Sequence, residues 1–166
     1  WHALQANAVP TIVERCDTRD VAHVYRLLGH FSGPSLKGVW HAMAGGLGDG
    51  DHGANVMSSA HASKAHGAST LQASSLCVAL EACVFFSSVA ARIGVAQQTV
   101  NGSANACLDA IAGCRRSHGQ AAVSVQWGAW AELDGMSTQL AAAGFGMISL
   151  AQGIGALETA VRPIRP

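Results

Sequence analysis

The stretch FFSSVAARIG, residues 85–94, ends a short apolar run on two hydroxyls, Ser87 and Ser88. The segment that follows carries two carboxamides, Asn101 and Asn105, one helical turn apart and therefore on one face. Lys64, one of only two lysines in the chain, lies upstream in an Ala/Ser-rich stretch. Hydroxyls, amides and an ammonium can grip a polar ligand through hydrogen bonds. A serine behind a strand is by itself more commonly a turn residue, and a lone lysine on a helix is more commonly solvated. The functional reading therefore depends on whether the fold brings these groups together.

The surrounding pattern predicts elements that do so. TIVERC (11–16), LKGVWHA (36–42), ACVFF (82–86) and AVSVQW (122–127) read as strands. Helices are predicted over 21–31 after a capping DTRD, over about 56–79, over about 98–117, and in two patches at 137–143 and 150–161. The 98–117 helix shows an apolar stripe at Val100, Ala104, Cys107, Leu108 and Ile111, a face expected to pack on a sheet. MAGGLGDGDHG (43–53) reads as a glycine-rich loop and GAWAELDGM as another loop. Strands that alternate with helices, and that run as continuous apolar segments, predict an α/β fold with a parallel sheet covered on both faces. Ligands in such folds sit outside the carboxyl ends of the strands, where the serine pair and both loops converge.

Bulk properties narrow the function classes. The chain has 166 residues, enough for one domain with a core. Ten acidic and ten basic residues balance, which argues against a nucleic-acid partner or a membrane surface. No apolar run reaches the roughly 18 residues of a membrane span. Five cysteines without a framework (Cys16, Cys77, Cys83, Cys107 and Cys114) predict buried thiols in a reducing, cytoplasmic compartment. The scattered histidines offer no metal-ligand spacing, so no metal site is assigned. A start at Trp1 and the RPIRP tail lead us to expect a piece of a longer chain.

KAHGAS, FFSSVAARIG, GSANACLDAIAGCRRSHG and VSVQWGAWAELDGM together resemble the ketoreductase domains of modular polyketide synthases and type I fatty-acid synthases, in the short-chain dehydrogenase/reductase superfamily. The resemblance implies a Rossmann-type doubly wound parallel sheet over residues 11–161, lacking the first two strands and the glycine-rich phosphate turn. Residues 1–10 are expected to be a linker or upstream remnant, and 162–166 the start of a linker. It also implies NADPH as cofactor, a β-ketoacyl thioester on an acyl carrier protein as substrate, and other synthase domains as partners.

Carried over by position, Ser88 is the carbonyl-binding serine, Lys64 the catalytic lysine and cofactor-ribose ligand, and Asn105 the asparagine that holds a relay water. The proton-donating tyrosine position holds Asn101. Asp17 matches the aspartate that meets the adenine. His41, Ala42 and Gly45, in HAMAGG, match the cofactor loop. Asp49 remains from the stereochemical marker, whose first aspartate is replaced by Gly48, and Trp127, Gly128 and Trp130 are expected in the substrate pocket.

Ketone reduction needs hydrogen-bond donors where the alkoxide develops, and a group that gives up a proton. A phenol beside an ammonium can do so; a carboxamide donates a hydrogen bond but is no proton source near neutrality. The chain has one tyrosine, Tyr25, on the helix after the first predicted strand. The alternative implied by Asn101 is a degenerate, non-catalytic ketoreductase kept as a structural module. In the order 3-2-1-4-5-6, TIVERC would lack its neighbour and the next strand would expose an edge, so the isolated chain is expected to aggregate or to pair with a missing half.

Overall fold

The computed structural model describes residues 12–30, 36–43, 62–94, 99–131, 144 and 146–162. Helix α1 spans Val21–Gly29, with the Asp20 carboxylate accepting from the main-chain N–H groups of Ala22 and His23. Strand β1 is Gly38–His41. A π-helical turn, Ala62–His66, leads into α2, Gly67–Ser74. Strand β2 is Ala82–Ser88, followed by the short α3, Ala90–Ile93, and the 19-residue α4, Thr99–Ser117. Then come β3 (Val123–Trp127), β4 (Ala129–Trp130), β5 (Met147–Ile148) and α5 (Leu150–Val161).

Strands β1, β2 and β3 form a parallel sheet in that order. Ser88 lies opposite Trp127, so β2 and β3 end level, while β1 ends earlier, with His41 opposite Phe85. A core of Ala68, Leu80, Cys83, Phe85, Leu108 and Ala112 joins α2 and α4 to one face. On the other face Phe86, Trp127 and Trp130 stack at 5.6 and 5.0 Å between ring centres, and α5 closes over Trp130 at Gly153. The α/β architecture with both faces covered is the one expected.

Several local expectations are corrected. The strand that was to stop at Phe86 continues through both serines, because the ladder pairs main chain and Ser87 and Ser88 stay in register with Gln126 and Trp127. Residues 12–16 form no ladder: among the described residues they have no neighbouring strand, and Ile12 and Val13 are exposed. Part of the GAW loop is strand, since Ala129 and Trp130 pair in parallel with Met147 and Ile148.

The buried face of α4 runs through Gly102, Ala104, Asn105, Leu108, Ala112 and Arg115. Of the predicted stripe only Ala104 and Leu108 are fully buried. The face turns toward Gly102 because an added Cβ there would lie 3.1 Å from the Ala90 carbonyl, which lets the helix approach the end of β2 closely. Strand β3 is not continuously apolar: Ser124 and Gln126 donate to the Asp109 carboxylate of α4 at 2.6 and 2.7 Å. Cys83 is buried, but Cys77 and Cys114 are exposed, so the cysteines are not uniformly core. The predicted patch at 137–143 and residues 56–61 lie outside the described residues.

Candidate active site

The carboxyl end of β2, the start of α4 and the π-turn meet at one rim. Lys64 comes from the π-turn, a distortion that adds a residue to one helical turn and is found frequently at functional sites. Its side chain is 7% exposed. The ammonium donates to Asn101 Oδ1 at 2.8 Å and to Asn105 Oδ1 at 3.2 Å. Asn105 Nδ2 donates to Asn101 Oδ1 at 3.1 Å, closing a three-residue ring. Both asparagines sit on the α4 turn pressed against Ala90. Burial lowers the Lys64 pKa from the usual lysine value.

The two serines divide their work. Ser87 is buried and its Oγ donates to the Asn105 main-chain carbonyl at 3.3 Å, which ties β2 to α4. The half-buried Ser88 Oγ accepts from the Ala90 N–H at 3.2 Å, capping the turn into α3. A hydroxyl that accepts in this way keeps its own hydrogen for another acceptor.

The remaining expected residues are more dispersed. Asp17 lies before α1, where the Arg19 guanidinium grips its carboxylate with contacts of 2.7 to 3.2 Å. Those hydrogen bonds hold the Asp17 pKa down at about 2. His41 is buried with its Nε2 3.0 Å from the Lys64 carbonyl, and Ala42 is exposed just beyond β1. Trp127 and Trp130 pack in the stack under α5, and Gly128 between them faces open space. Among the described residues the buried Trp127 Nε1 has no partner. Gly45 and Asp49 lie outside the described residues. Tyr25 is exposed on α1.

Of the lysine, serine and asparagine expected to meet, Lys64 bonds Asn105, with Asn101 joining them, while the Ser88 hydroxyl bonds within its own turn at Ala90. The sequence reading missed the bond from His41 to the Lys64 carbonyl, which no spacing rule announces because it depends on the π-turn.

Sheet order, layers and this rim define the class: an α/β protein of the Rossmann-like short-chain dehydrogenase/reductase fold. A short-chain dehydrogenase from Burkholderia cenocepacia, solved in complex with NADP, shares that fold at a TM-score of 0.75 and 17% identity, covering 98% of this chain and 74% of that one. The family model described as the KR domain matches residues 1–132, and the chain belongs to the ketoreductase domains of polyketide synthases. Polyketide synthase GfsB of Streptomyces halstedii is 42% identical over 137 residues, 78% of this chain and 2% of that protein. PlmKR1, the ketoreductase from the first module of phoslactomycin biosynthesis in Streptomyces sp. HK803, superposes with a TM-score of 0.87 at 30% identity, covering 99% of this chain and 40% of that one. The chain thus spans a small fraction of the synthase and well under half of the solved ketoreductase.

Proposed function

We propose that this chain carries the carbonyl-handling side of a ketoreductase that reduces a β-ketoacyl group, held on an acyl carrier protein of a multidomain synthase, to the β-hydroxyacyl group. The observation behind this reading is the Lys64–Asn101–Asn105 ring, tied through Ser87 to the carboxyl end of β2, the strand that ends on Ser88. The Ser88 hydroxyl hydrogen would meet the keto oxygen as charge develops on it. Lys64 spends two of its three N–H groups on the asparagines, and among the described residues the third has no partner. That third donor suits a ribose hydroxyl of NADPH, and by the resemblance Asp17 would meet the adenine. The one GxGxxG spacing in this sequence, GDGDHG at 48–53, falls in the glycine-rich stretch after LKGVWHA and not in a turn between a first strand and its helix, so no residue of this chain is assigned to the pyrophosphate. NADPH, when bound, supplies the hydride. The Trp127–Trp130 segment and Asp49 would shape the acyl side, and the free cysteines support a reducing cytoplasm.

Asn101 sets the rate. It can orient the amine and the neighbouring amide but releases no proton, and loss of a positioned general acid typically forfeits about 10²–10⁴ in rate. A second reading rests on this residue: the domain persists as a non-catalytic module of its synthase. The test is NADPH oxidation with a small β-ketothioester, using the chain expressed with its flanking coding sequence, before and after Asn101→Tyr. The substitution is expected to raise turnover by about 10²–10⁴. Equal turnover without it means another group donates the proton. If neither form binds NADPH, the second reading stands.

A further inference from the structure

Lys64 is gripped at both ends. Its ammonium is held from α4 by two asparagines, and its main-chain carbonyl is held from the sheet by His41, whose Nε2 lies 3.0 Å away. A carbonyl oxygen only accepts, so the ring must carry its hydrogen on Nε2. The imidazole closes β1, is 3% exposed, and meets the Phe85 ring edge-on at 6.3 Å. Directly after the π-turn comes Gly67, where an added Cβ would make ordinary contact with His41 Cε1 at 3.6 Å but would run into Thr18, so the missing side chain makes room for Thr18 while the ring packs against the start of α2.

We propose that His41 is the positioning residue for Lys64: its Nε2–H fixes the π-turn through the Lys64 carbonyl, so that the ammonium reaches both asparagine oxygens. His41 then acts on the site through Lys64 and not by touching cofactor or substrate. Supporting this, burial lowers the ring's pKa, the bond to the Lys64 carbonyl offsets part of that, and the Lys64 charge lowers it further. A neutral ring adds no repulsion beside the ammonium. The importance of the contact for catalysis rests on the role given to Lys64 above; the positional claim does not.

The chain's two lysines make the test direct. Lysine labelled with ¹³C and ¹⁵N gives two side-chain signals, with Lys64 assigned by difference against Lys64→Arg. Lys37, exposed and paired with Glu81, is the internal reference. In the unaltered protein the His41 nitrogen shifts are expected to report the Nε2–H tautomer, with a coupling across the hydrogen bond to the Lys64 carbonyl. The Nδ1–H tautomer overturns the proposal, and this measurement needs no variant. His41→Gln, which retains a donor of similar reach, should keep the Lys64 signal in place. His41→Leu should move it toward the Lys37 position while Lys37 stays fixed. A Lys64 signal that ignores both substitutions in folded protein also overturns the proposal. Should Lys64 follow His41 while ketone reduction does not, the positional claim stands and the catalytic role of Lys64 falls.

Discussion

At the residue scale the site is governed by a buried ammonium. Lys64 has a folded-state pKa below the ordinary value of 10.5, because burial penalises its charge. Between that lowered value and 10.5 the unfolded chain binds more protons than the native one, so stability rises with pH across this alkaline window. Below the window the cost of burying the charge is constant, and the asparagine oxygens offset part of it. Lys64→Met should therefore remove a positive slope from the plot of Tm against pH in that range, read by thermal scans of both proteins. An unchanged slope would mean that the amine is solvated. The ring of Lys64, Asn101 and Asn105 was legible in the sequence because its spacing follows a family motif. The His41 contact was not, nor was the hold of Asp109 on Ser124 and Gln126, since each joins residues whose separation encodes nothing local.

At the element scale, helices and central strands were readable and their margins were not. Asp20 and the Ser149/Gln152 capping box mark the starts of α1 and α5, and the predicted 150–161 helix matches Leu150–Val161. The end of β2 escaped because hydroxyls usually signal a turn, yet Ser87 finds its partner on α4, which only the assembled layers supply. The β4–β5 pair escaped because a two-residue ladder leaves no periodicity. Helix α5 offers a contrast between two glycines. A Cβ on Gly153 would run into the Trp130 ring, whereas one on Gly155 meets nothing within 4 Å. Overpacking costs about 1–3 kcal/mol, against about 1 kcal/mol gained in helix propensity. Gly153→Ala should lower stability and shift tryptophan emission, while Gly155→Ala should raise stability by about 1 kcal/mol. Denaturant titrations followed by fluorescence distinguish the two, and equal effects would mean that Trp130 yields freely.

For the whole molecule, the parallel strand order and an unpaired edge among the described residues were both foreseeable. In the order 3-2-1-4-5-6 the observed β1, β2 and β3 are the fourth, fifth and sixth strands, and the fourth belongs beside the first. Among the described residues the outer edge of β1 is unpaired. Trp40 on that strand is 51% exposed, and Ile12 and Val13 are 78% and 68% exposed. An open edge on a strand with an exposed tryptophan is a template for another strand. The chain alone should self-associate with increasing concentration, and Trp40→Lys should shift its light-scattering mass toward the monomer. A chain that stays monomeric and melts cooperatively without the substitution contradicts this. What the sequence could not convey is how little α4 depends on that edge: packed on β2 and β3, it draws its core from strands among the described residues.

Asn101 Oδ1 takes hydrogen bonds from Lys64 and from Asn105 at once. The amide therefore keeps its neighbours in place without the phenol, and nothing obliges them to drift. In the genetic code the asparagine and tyrosine codons differ by a single base. On the role proposed for position 101, a lineage carrying this domain stands one point mutation from a phenol there, and the turnover comparison with Asn101→Tyr tells whether that one nucleotide decides a reduction step.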